Sequence, residues 1–194
     1  MQFEYNLNTR NSYSYEAYRA MIDELLSQGK TTGGNHSEVM LGHSTMNVAR
    51  MKRLDKRGKI NDELKEVVQR LAPQKWLVIT EAWCGDAAQN LPWIHHLAQL
   101  NKDIELSLIL RDDNLDIMDQ FLTNGGRSIP KLIGLSADNE ILFSWGPRPQ
   151  LMQETYTTMK AAGMEYAEIS ETIHRMYAKN NGEAFQDELL TLLQ

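Results

Sequence analysis

Trp76-Leu77-Val78-Ile79-Thr80 is a continuous apolar run of strand length, and it constrains this chain more than any other feature. A run without polar alternation fits a central strand buried on both faces, so other layers must cover it above and below. Residues 87–100 read as a helix, with a kink expected at Pro92. Ile104, Leu106, Leu108 and Leu110 then alternate with Glu105 and Ser107, which is strand periodicity. Residues 114–123 suggest another helix, with Leu115, Met118 and Leu122 inward and Gly125-Gly126 as its stop. Ile129 to Leu135 and Glu140 to Trp145, joined by Ser136-Ala137-Asp138-Asn139, read as a β-hairpin. A helix follows from Pro149 to about Ala162. A β-α-β unit followed by a hairpin and a helix implies an α/β fold, with a mixed sheet of four to five strands flanked by helices.

Helical sequence lies on both sides of this block. Ahead of it, Tyr15, Tyr18, Ile22 and Leu25 define a helix over 13–27, and Val48, Met51 and Leu54 define one over 45–57. Asn61 caps a third, carrying Leu64, Val67, Val68 and Leu71, which Pro73 stops. Behind it, Tyr166, Ile169, Ile173, Met176 and Tyr177 share one helix face; Gly182 breaks that helix, and Phe185, Leu189 and Leu193 continue in a last one. The expected division is a helical N-terminal extension over 1–72, a central domain over 73–162 and a C-terminal helical extension over 163–194. Each outer helix has an apolar face, so all are expected to pack on the core or on one another.

The chain's single cysteine, Cys84, sits where the apolar strand gives way to a helix. One cysteine excludes an internal disulfide framework and a cysteine-cluster metal site. A net charge of −6 argues against nucleic acid as the main partner. The start, Met1-Gln2-Phe3-Glu4-Tyr5, lacks the pattern of a signal peptide, and no apolar run approaches a membrane span. A cytoplasmic protein with no cofactor, metal or membrane partner is expected. Gly29-Lys30-Thr31 lacks the glycine that a phosphate-binding loop needs five residues before its Gly-Lys pair, because Glu24 stands there. His36 and His43 have no third ligand at metal spacing and are expected to face solvent, as are His95 and His96. Arg50, Lys52, Arg53, Lys56, Arg57 and Lys59 form a basic cluster, better read as a solvated helix face than as an anion patch. Asp112, Asp113 and Asn114 are expected to cap the next helix.

Ala82-Trp83-Cys84-Gly85 resembles the start of the thioredoxin active-site motif, Trp-Cys-Gly-Pro-Cys. Pro92 stands where that family kinks its active-site helix, and Arg127-Ser128-Ile129-Pro130 is similar to the segment whose cis proline faces the active-site cysteine. The resemblance covers roughly residues 72–162. Together with Trp145-Gly146-Pro147-Arg148-Pro149, it suggests a divergent bacterial thioredoxin-family group with helical extensions at both ends. It implies a thioredoxin-like fold, Cys84 as nucleophile, and Trp83, Gly85, Asp86, Ile129 and Pro130 around a substrate. The departures concern the same site. Ala87 replaces the second cysteine, Asp86 the intervening proline, Val78 the buried acid, and Lys131 the threonine usual after the cis proline.

At a helix N-terminus the local N–H groups lower a thiol's pKa, as would the Lys131 ammonium if it reaches the sulfur, whereas Asp86 raises it; the sequence leaves that balance open. Such a thiol forms mixed disulfides that an external thiol must resolve, so the expected partner is a protein or a low-molecular-weight thiol or disulfide. Two other roles fit the residues: a redox-inactive binding or scaffold protein, and a single-cysteine redox sensor. Arg148 is expected to be a surface arginine rather than a ligand for an anionic substrate. The sequence leaves the oligomeric state open.

Overall fold

The computed structural model describes residues 2–3 and 9–194; Met1, Glu4 and Tyr5, part of the stretch read for a leader, lie outside them. Strand β2 (Gln74–Thr80) is the apolar run and is buried from Trp76 onward. It sits at the centre of a five-stranded sheet of order β1-β3-β2-β4-β5. β3 (Ile104–Leu110) runs parallel to it, with Trp76 opposite Leu106 and Thr80 opposite Leu110. β4 (Lys131–Ser136) runs antiparallel on its other side and turns through the hairpin into β5 (Ile141–Trp145). The outermost strand, β1 (Ser12–Tyr13), is a two-residue pairing on β3 too short to leave a periodic trace in the sequence.

Helix α4 (Gly85–Ala98) makes the crossover between β2 and β3, with Pro92 inside it. Most of its residues are buried, because helices cover it on the side away from the sheet. α1 (Tyr15–Ser27) is capped by Ser14, whose hydroxyl accepts the Ala17 N–H. α2 (Glu38–Arg57) starts seven residues earlier than its apolar positions suggested and packs along α4. α3 (Asp62–Gln69) is capped by the Asn61 side chain, which accepts the Leu64 N–H. Tyr15, Tyr18, Ile22, Met51, Leu64 and Val68 join one hydrophobic core with the sheet, α4 and Phe185 and Leu189 of α8 (Glu183–Leu193). α6 (Gln150–Ala161) and α7 (Tyr166–Asn180) build a smaller cluster from Met152, Ile169, Ile173 and Tyr177.

Three expectations need correction. The helix expected over 114–123 is a single turn, α5 (Leu115–Met118), and Leu122 is exposed. Asn114 stands at its N-cap position, but its side chain donates to the Leu110 carbonyl instead of capping. His95 and His96 are half-buried; His95 stacks on Tyr15 at 4.3 Å between ring centres, because α1 lies over this part of α4. His36 and His43 are exposed. Among the described residues no helix is long and apolar enough to cross a membrane, and no cluster of His, Cys, Asp and Glu could hold a metal.

Candidate active site

Cys84 occupies the N-cap of α4, where the end of β2 delivers it. The loop between strand and helix is pinned from the N-terminal extension. The Thr32 hydroxyl accepts the Ala82 N–H at 2.9 Å, and Asn47 Nδ2 donates to the Ala82 carbonyl at 2.8 Å. Both backbone polar groups of buried Ala82 are thereby satisfied by side chains 35 and 50 residues away, a pairing no local pattern announces. The thiol accepts the Ala87 N–H at 3.4 Å, as a helix cap should, and donates its own proton to the Ile129 carbonyl at 3.1 Å. Ile129 precedes Pro130 across a cis peptide, and a second cis peptide joins Gly146 to Pro147.

Asp86, two positions beyond Cys84, is the electrostatic centre of the site. Its Oδ2 accepts from Arg148 Nη2 at 2.6 Å and Nε at 3.1 Å, and its Oδ1 accepts the Tyr177 hydroxyl at 2.8 Å. Asn90 completes the arrangement, donating to both the Asp86 carbonyl and the Tyr177 oxygen. Arg148 reaches Asp86 because its loop presses on Pro130. Gly146 sits at φ +114°, and a Cβ there would stand 2.2 Å from the Pro130 carbonyl oxygen. The guanidinium also lies 4.4 Å over the Tyr156 ring. Arg148 is therefore neither the surface residue expected nor free for a substrate anion, because it neutralises Asp86.

Helix α7 covers the thiol. A Cβ on Gly85 would come within 2.6 Å of the His174 ring, so the absence of a side chain there lets α7 approach the start of α4. His174 and Tyr177 had no forewarning in the sequence, where only their helix's apolar stripe was visible. The result is a cavity of about 400 Å³ with Cys84 in its wall, Trp83 and Arg111 on one side and Arg148, Tyr156 and Tyr166 on the other. The Arg111 guanidinium lies 4.8 Å from the Trp83 ring centre, and each of Arg111, Arg127 and Arg148 pairs with an aspartate.

At the thiol the raising forces outweigh the lowering ones. Cys84 is 8% exposed, and burial, followed by the Asp86 carboxylate, pushes its pKa up to about 12. The Ala87 and Asp86 N–H groups and Arg148 pull the other way and lose. Lys131 does not help: its ammonium donates to Thr123 Oγ1 at 2.7 Å and to the Gly146 carbonyl at 2.9 Å, and burial lowers its own pKa. Burial likewise lowers the His174 pKa to about 4, with Arg50 adding to the shift, so its ring is neutral near pH 7. The site brings together Trp83, Cys84, Gly85, Asp86 and Ile129 around one cavity, while Pro130 lies buried behind Ile129 and Lys131 is directed away into a loop.

A thioredoxin family model matches residues 33–160. No curated protein matches the chain. Among solved structures, an HIV epitope-scaffold has a TM-score of 0.55 at 19% identity, covering 93% of this chain and 98% of its own. A protein of unknown function from Pseudomonas aeruginosa has a TM-score of 0.49 at 22% identity, with coverages of 88% and 99%. At these identities the first is a likeness of fold, and the second carries no argument. The family model spans more than half the chain and includes the strand, the Cys84 helix and the Pro130 hairpin, and on that basis this chain belongs to the thioredoxin family.

Proposed function

We propose that this protein uses the thioredoxin fold to bind a small ligand in the cavity above Cys84, not to exchange disulfides through that residue. One observation carries the reading: the thiol is a buried hydrogen-bond donor to the Ile129 carbonyl. In the monothiol reading that carbonyl belongs to the platform for an extended substrate. Here the cysteine's own proton occupies it, and α7 lies across the approach. With the thiol pKa near 12, the reactive thiolate is about one part in 10⁵ at neutral pH, against a few per cent for free cysteine. The cavity volume is within the range of small-molecule sites, and its aromatic lining suits a small planar group.

A monothiol oxidoreductase is the second reading, favoured by the sulfur's place in the cavity wall at the N-terminus of α4. It requires α7 to move aside and an external thiol to resolve the mixed disulfide. Incubation with oxidised glutathione followed by intact mass measurement separates the two. Binding without exchange is expected to leave Cys84 unmodified over hours, with no turnover above that of Cys84→Ala. Rapid formation of a glutathionyl adduct, released by added glutathione, would establish the second reading instead.

A further inference from the structure

Helices α2 and α7 leave a second, larger opening between them, a groove of about 870 Å³. One stripe of α2 lines it at helical spacing: Val39, His43, Met46, Arg50 and Arg53. Val39 is 67% exposed, Met46 52%, and Tyr166 at the start of α7 69%. Three large apolar side chains left open around one concavity mark a binding surface more than chance exposure does. The groove needs nothing from Cys84; it meets the thiol cavity only at Tyr166, Ser170 and His174.

The stripe is graded along the helix. Its first half, from Val39 to Met46, is mainly apolar, and its second, from Arg50 to Arg53, is cationic; Val39 and Met46 stand about 10 Å apart, as do Met46 and Arg53. Charge at the cationic end is not balanced from within. Arg175 across the groove is held by Glu171, and Arg50 donates to Asn47 Oδ1 at 2.8 Å. Arg53 pairs with no carboxylate among the described residues. Arg50 is held below its ordinary pKa by burial and by Arg53, against a weaker opposing pull from the Asp86 carboxylate, so two like charges adjoin each other at this end of the groove. This occurs in a chain of net charge −6, which makes the local excess of positive charge a property of the groove and not of the surface at large.

We propose that the α2–α7 groove binds a fatty acid, its acyl chain along Val39, Met46 and Tyr166 and its carboxylate held by Arg50 and Arg53. The apolar half accepts the tail without a polar partner, and the carboxylate relieves the repulsion between the two guanidinium groups. No bond is made or broken. An acidic amphipathic helix and a second copy of this chain are the competing occupants, and the volume favours the smaller ligand.

The full chain is titrated by calorimetry with dodecanoate kept below its micelle concentration. Saturable one-to-one binding is expected, weakened about tenfold in Arg53→Ala and lost in Val39→Asp. Both changes are at exposed positions where folding is not at stake. Dodecanol is expected to bind more weakly than dodecanoate, and Cys84→Ser to bind as wild type does, which separates this site from the thiol cavity. Absence of saturable binding, or unchanged affinity in both groove variants, would overturn the proposal. So would a concentration-dependent dimer dissolved by Val39→Asp, which would assign the groove to a second copy.

Discussion

At Cys84 two sets of forces oppose each other, and their sizes decide the chemistry. Helix-end N–H groups and Arg148 favour the thiolate; burial and the Asp86 carboxylate disfavour it and win. Asp86→Ala removes one of the raising causes and leaves Arg148 without a counter-ion beside the sulfur. It is expected to speed Cys84 alkylation at pH 8 by about tenfold or more. Removing the other partner has a different outcome: Arg148→Ala leaves a largely buried carboxylate without its counter-ion and is expected to cost about 3 kcal/mol in urea unfolding. At this scale the sequence exposed the centre of the site but not its surroundings. Trp83, Cys84, Gly85 and Ile129, all named from the sequence, line one cavity. Their controlling partners, Asn47, Arg148, His174 and Tyr177, come from segments whose approach only the assembled fold decides.

Among the elements, α7 has the largest effect on function, and its hold on the site is narrow. Tyr177 binds Asp86 and Asn90, and His174 fits against the bare backbone of Gly85. Tyr177→Phe keeps the ring and loses the hydroxyl, so it is expected to cost about 1 kcal/mol of stability and to raise the labelling rate of Cys84. An unchanged labelling rate would show that α7 does not gate the thiol. From the opposite side, Asn47→Ala leaves the buried Ala82 carbonyl without its donor and is expected to destabilise the fold by about 1–3 kcal/mol. Element periodicity was the most legible layer of the sequence: β2, β3, α1, α6 and α7 lie within a residue or two of their expected spans. The failures have separate physical causes. α5 stops after one turn although its apolar spacing continued, and β1 is too short to have a period at all.

Over the whole molecule, the extensions and the sheet share a core, so site chemistry and global stability titrate together. His174 has a folded pKa depressed from 6.5 to about 4; its contribution is therefore present above pH 6.5 and lost as pH falls toward 4. Glu81, raised by burial, contributes with the opposite sign: its stability is complete below 4.5 and declines as pH rises. The urea midpoint of wild type is expected to drop between pH 6.5 and 4 more steeply than that of His174→Gln, the difference isolating the histidine. A parallel decline in both proteins would remove His174 from the explanation. Net charge and composition were informative here only by exclusion. They argued against a nucleic-acid role but said nothing of a helix laid across the site, which depends on a glycine at 85 as much as on α7's own apolar face.

The central claim is that Cys84 is a buried, protonated donor and not an activated nucleophile, and its iodoacetamide alkylation rate measured from pH 6 to 12 in the folded protein tests this most directly. The expected rate is slow and climbs with pH without levelling until about 12. A curve that levels at or below the roughly 8.5 of free cysteine would contradict it.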